Sequence, residues 1–125
     1  MTTFLYSHAA CLEHDPGAMH PECPDRLRSV LSGLDEEPFQ YLHREEAPKV
    51  DLGKVEKVHK PYYVEKIIET VPDSGRVYLD PDTALSSGSV EAAMRASGAA
   101  IEAVDQVVGG NADNAFCAVR PPGHH

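Results

Sequence analysis

The segment from about Ser89 to Val108 constrains the fold more than any other part of this 125-residue chain. Val90, Met94, Ser97, Ile101, Val104 and Val108 recur at alternating four- and three-residue spacing, the period of one face of an α-helix. That stripe predicts the core-facing side. Beside it lie Ala92, Ala96, Ala99, Ala100 and Ala103, small enough to let a sheet or a second helix approach closely. Gly109-Gly110-Asn111 ends the helix, because glycine takes the left-handed backbone that a C-terminal cap requires. Ala115-Phe116-Cys117-Ala118-Val119 then forms a short apolar run of the kind that makes a strand buried on both faces of a parallel sheet.

The rest of the chain alternates in the same way. Thr3-Phe4-Leu5-Tyr6 reads as a first strand, followed by a loop containing His, Gly and Pro through about residue 23. Leu27, Val30, Leu31 and Leu34 form the apolar side of a helix whose first turn holds Pro24 and Asp25, where a missing N–H and a negative charge are both tolerated. Phe39 to His43 is a second strand candidate. Asp51 caps a short helix ending near His59, and Pro61 starts another with Tyr62, Ile67 and Ile68 on its buried side, ended by Pro72 and Gly75. Arg76-Val77-Tyr78-Leu79 is strand-like and leads into the acidic loop Asp80-Pro81-Asp82. Strands alternating with helices predict an α/β chain with a mainly parallel sheet and helices on its faces. No internal repeat, low-complexity tract or interdomain linker is visible, and the length suits one domain or part of one.

Composition narrows the function classes. A net charge of −9 argues against docking on a nucleic-acid backbone, which clustered Lys and Arg drive; it would attract cationic substrates, but reads first as a charge that serves solubility. No apolar stretch approaches the roughly 18 residues of a membrane span, and the N-terminus lacks a secretory pattern. A cytoplasmic address is the expectation. Cys11, Cys23 and Cys117, an odd number, read as reduced thiols and not as a disulfide framework.

Chemistry concentrates at Arg120-Pro121-Pro122-Gly123-His124-His125. Seven histidines in 125 residues give about 0.4 adjacent pairs by chance, so the pair alone is weak and the full string is the signal. Pro121 and Pro122 each fix φ, and Gly123 permits a sharp turn, so the histidines are presented on a loop leaving a strand. Open α/β sheets place their sites at such strand ends. An imidazole titrates near neutrality and suits proton transfer to or from a polarised carbonyl.

This string, together with His20-Pro21-Glu22-Cys23-Pro24-Asp25-Arg26-Leu27 and Asp80-Pro81-Asp82-Thr83, resembles the zinc-dependent histone deacetylase family. The likeness is to its class II-like bacterial branch, with acetylpolyamine amidohydrolases and acetoin-utilization proteins. The resemblance implies the three-layer α/β/α arginase–deacetylase fold and covers nearly the whole chain, as the N-terminal portion of a single longer domain. It implies hydrolysis of an acyl amide of lysine, a polyamine or a similar amine. His125 would be the general base, His124 the protonated partner that stabilises the oxyanion, Asp82 the rim group that orients substrate, with Asp80 as the choice if the register is off by two. Arg26 would line an internal acetate channel, so that of Arg26 and Arg28 one points inward. The family's Zn2+ ligands fall after the double histidine, so residues 1–125 alone are expected to be inactive. A sheet ending there would leave an apolar edge open, and an autonomous monomer is not expected.

A rival reading uses Cys11, His14, His20 and Cys23, two Cys/His pairs with the local spacing of a structural zinc clamp. It goes with a non-catalytic protein that binds acyl-amines or interacts with a partner. His8, His43 and His59 lack any supporting pattern and read as surface or packing residues.

Overall fold

A computed structural model of the chain describes residues 1–124. In chain order the elements are β1 (Thr3–Ser7), α1 (Pro24–Leu34), β2 (His43–Glu46), α2 (Leu52–Val55), α3 (Pro61–Thr70), β3 (Val77–Asp80), β4 (Thr83–Leu85), α4 (Ser89–Val108) and β5 (Asn114–Cys117). Short 3-10 turns cover Ala9–Leu12 and Glu37–Phe39.

Three strands make a parallel sheet in the order β2-β1-β5. Phe4 faces His43 across one pair and Ala115 across the other, and β1 is the central strand. Its side chains alternate between two cores, as the period of a strand requires. Phe4 and Tyr6 pack with Ala99 and Ala103 of α4, whereas Leu5 packs with Cys11, Leu27 and Ala118 on the α1 side. Helices thus cover both faces, giving three layers. The parallel sheet and the helix at 89–108 agree with the sequence reading, as does the α1 face, where Leu27 is buried and Val30, Leu31 and Leu34 pack against its cluster.

The buried side of α4 differs from expectation. Its buried residues are Ser89, Ala92, Gly98, Ala99 and Ala103, while Val108 is 81% exposed and Val104 is also exposed. Close approach decided this, not hydrophobicity. The stretch 47–50 runs across the helix, with Val50 N–H donating to Met94 O at 3.0 Å and Arg95 Nη1 donating to Ala47 O at 3.0 Å. A Cβ on Gly98 would lie 1.8 Å from Pro48 O, so only glycine admits this crossing.

Four further differences have local causes. Residues 39–42 do not pair, because Phe39 N–H and Gln40 N–H close a turn on Glu36 O and Glu37 O; the strand begins at His43, whose ring stacks on Phe4 at 4.1 Å. Tyr62 and Ile68 are exposed, and α3 buries no residue. The acidic loop is the turn of an antiparallel β3–β4 hairpin, for which Asp80 followed by Pro81 is a standard opening. Lastly, β5 is not covered on both faces: it pairs with β1 alone among the described strands, and Phe116 is 52% exposed.

Candidate active site

Past β5 the ladder continues for one bond, Ala118 N–H to Tyr6 O at 2.8 Å, and the chain then enters the Pro-Pro turn. The Arg120–Pro121 peptide is cis, and Gly123 has φ +83°, a left-handed conformation that other residues rarely take. This turn forms one wall of a cleft of about 170 Å³ at the carboxyl ends of the parallel strands. His14, His20 and Glu22 from the N-terminal loop, Asp82 from the hairpin, Ser89 from α4, and His124 border it. The structure therefore brings together the three motifs that sequence reading singled out. His125 lies outside the described residues.

Asp82 and Asp80 divide their work. Asp80 Oδ1 accepts the Asp82 N–H at 2.8 Å and closes the turn. Asp82 Oδ1 lies 3.2 Å from His20 Nε2, which is also 3.2 Å from the Asp82 carbonyl. Asp82 is the aspartate at the cleft. Next to it, Thr83 Oγ1 is buried without a hydrogen-bond partner.

The arginine placement differs from expectation. Arg26 side-chain exposure is 47%, and its Nε donates to Glu22 Oε2 at 2.9 Å, one helical turn back. Arg28 is also exposed and pairs with Asp25. Neither points inward among the described residues: each stays exposed and reaches an acidic partner three or four residues away. The inward arginine is Arg120, 0% exposed. Its Nε donates to Glu22 Oε1 at 2.9 Å, Nη1 to Cys11 O at 2.8 Å and His14 O at 2.7 Å, and Nη2 to Glu22 O at 3.2 Å.

His14 is a second residue whose role the sequence did not show. It is buried, with Nδ1 2.7 Å from Ser89 Oγ. Ser89 Oγ also accepts the Ser86 N–H at 2.7 Å, and Ser86 Oγ accepts the Asp15 N–H at 2.9 Å. Burial first, and then the Arg120 charge, push the His14 imidazole below its ordinary value. The unfolded chain therefore takes up a proton near pH 6.5 that the folded chain refuses, so stability falls as pH drops below that value. The slope from this one group is at most about 1.4 kcal/mol per pH unit. Urea unfolding at pH 5.5 and 7.5 checks it: His14→Gln should flatten the dependence relative to the unaltered protein.

The proposed zinc clamp is not assembled. Cys11 is buried in the core beneath β1, where burial raises its thiol pKa, and His14 is committed to Ser89. His20 uses Nε2 on Asp82, while its Nδ1 accepts the Glu22 N–H at 3.0 Å. Among the described residues no group of three or more His, Cys, Asp or Glu is arranged to hold a metal. All three cysteines are free. His8 Nδ1 caps the first 3-10 turn through Ala10 N–H, a packing role like that of His43.

The histone deacetylase domain family matches residues 20–125. A probable deacetylase of Archaeoglobus fulgidus is 34% identical over 128 residues, covering 100% of this chain and 35% of its own length. A histone deacetylase-like amidohydrolase of Pseudomonas aeruginosa is 38% identical over 110 residues, covering 86% of this chain and 28% of that protein. The crystal structure of the HDA15 HD domain superposes with a TM-score of 0.89 at 28% identity, over 99% of this chain and 37% of the other. This chain thus spans 28–37% of the length of these three proteins. With the three motifs meeting at one cleft and the family model and superposition both covering most of the chain, the chain belongs to the histone deacetylase domain family and has its α/β arginase–deacetylase fold.

Proposed function

We propose that the protein carrying this chain hydrolyses an acyl amide, releasing a carboxylate and an amine. The substrate would be an N-acyl lysine, an acetylpolyamine or a similar acylated amine. One observation carries this reading: His124, Asp82 and His20 border the same cleft at the strand ends. Water supplies the new C–O bond, the amide C–N bond breaks, and the departing nitrogen takes a proton. His125 would accept the proton of the attacking water, His124 would hold positive charge beside the developing oxyanion, and Asp82 would accept hydrogen bonds from the substrate's amine-side N–H groups. His20 holds the Asp82 carboxylate in place for that role.

Zinc is the metal that the family resemblance implies, supplying a Lewis acid for the carbonyl and an acidified water. The described residues contain no set of ligands for it. Its ligands would therefore come from sequence beyond residue 125. On this reading residues 1–125 are the N-terminal portion of one deacetylase domain.

Acetate release from an acetyl-lysine peptide and from an acetylated polyamine tests the proposal. A protein that spans the whole domain should turn over at least one of them, and residues 1–125 alone should turn over neither. A purified, metal-loaded whole domain that releases no acetate from either would refute the reading.

A further inference from the structure

Arg120 is fully buried, an unusual place for a charged side chain. A guanidinium has five N–H donors in a rigid plane and no acceptor, and a buried one must find oxygen in several directions. Here three of its nitrogens make four bonds, to Cys11 O, His14 O, Glu22 O and Glu22 Oε1. All four acceptors lie in the N-terminal loop, 98 to 109 residues away. The same loop supplies His14, His20 and Glu22 to the cleft, while Arg120 itself begins the turn that carries His124 to the opposite wall. Pro121 and Pro122 have fixed φ, so little slack separates the anchored guanidinium from His124. Glu22 is fixed in turn, because its second oxygen receives Arg26 Nε at 2.9 Å.

We propose that Arg120, acting through Glu22, sets the distance between the two walls of the cleft and is a positioning residue for the histidine pair. The proposal rests on the hydrolytic reading above, and it has a readout independent of turnover. Neither residue touches the reacting atoms. Their effect reaches the chemistry through the placement of His124 and His125, where a displacement near 1 Å is enough to lower the rate about 100-fold.

Two conservative variants test this in the whole-domain protein. Glu22→Gln keeps the shape and removes the charge, and Arg120→Lys keeps the charge and removes the planar fork. Steady-state kinetics are measured well below each variant's melting temperature and corrected for folded fraction. The expected result is a kcat lowered about 10- to 100-fold with KM within about twofold, as misplaced catalytic groups require. The double variant should fall no further than the worse single, since both changes break one device. Alongside, the imidazole NMR resonances of His124 should shift in both variants, with those of His14 as the control for local disturbance at its carbonyl. Unchanged kcat in both folded variants would overturn the proposal, as would unmoved His124 resonances. If the unaltered protein shows no hydrolysis, the reaction reading fails, and the resonance shifts alone decide whether the clamp positions the turn.

Discussion

Replacing His125 by alanine is expected to lower kcat for acyl-amine hydrolysis by about 100- to 10,000-fold while leaving bound metal unchanged. The expectation follows from what the side chain would do. A water bound for attack must lose a proton in the transition state, and an imidazole accepts it at neutral pH without needing a perturbed environment. Alanine leaves bulk water as the acceptor, which is a far weaker base. His124→Ala should also be severe, but by another route, since in the proposed mechanism it would remove the group beside the oxyanion and not the proton acceptor. The two are separable by pH. The His124 variant should keep the rise of kcat/KM with pH that reports deprotonation of the base, and the His125 variant should lose it. Metal content, measured on the same samples, guards against a trivial explanation. Full activity in His125→Ala would refute the assignment.

The second large effect is on stability. Arg120→Met should destabilise the protein by about 3–5 kcal/mol, the range for removing one partner of a buried charge pair. Two terms set where in that range it falls. Three carbonyls lose their donor, at about 1–3 kcal/mol for each buried group left unpaired. Glu22, by contrast, keeps Arg26 and remains partly reachable by water, so its orphaned charge adds little. The three carbonyls therefore account for most of the loss. Since domains are stable by only about 5–15 kcal/mol, the change would be plain in a chemical-denaturation midpoint. A shift under about 1 kcal/mol would mean that water replaces the guanidinium.

How far the sequence could be read depended on which force decided each feature. The extent of α4 was legible because a 3.6-residue period and a glycine terminus are local properties, and its limits were anticipated. Which face it buries was not, because two stripes lie side by side and the choice went to the one that lets backbone approach backbone. The acidic loop at Asp80-Pro81-Asp82 was legible, but not that it turns a hairpin, because the three-residue strand behind it was missed. At the site, the motifs named loops that the structure brings to one cleft, with Asp82 among its lining residues. The arginines were harder. Charged residues default to solvent, and Arg26 sits on a helix where an inward turn was plausible. Arg120 did carry one signal: it follows an apolar strand directly and precedes two prolines, which leaves its side chain little room except the layer under the sheet. His14 carried none, since a single histidine in a loop looks the same whether it meets a serine or water.

The missing methyl at Gly98 reaches further than its own contact. Because Pro48 O occupies the space where a side chain would start, α4 cannot roll about its axis without driving backbone into backbone. The helix therefore has one permitted azimuth. Ser89 lies nine residues earlier, two and a half turns along the same rod, and inherits that setting when it presents its hydroxyl to His14. A collision avoided in the middle of the helix thus calibrates a hydrogen bond at its first turn.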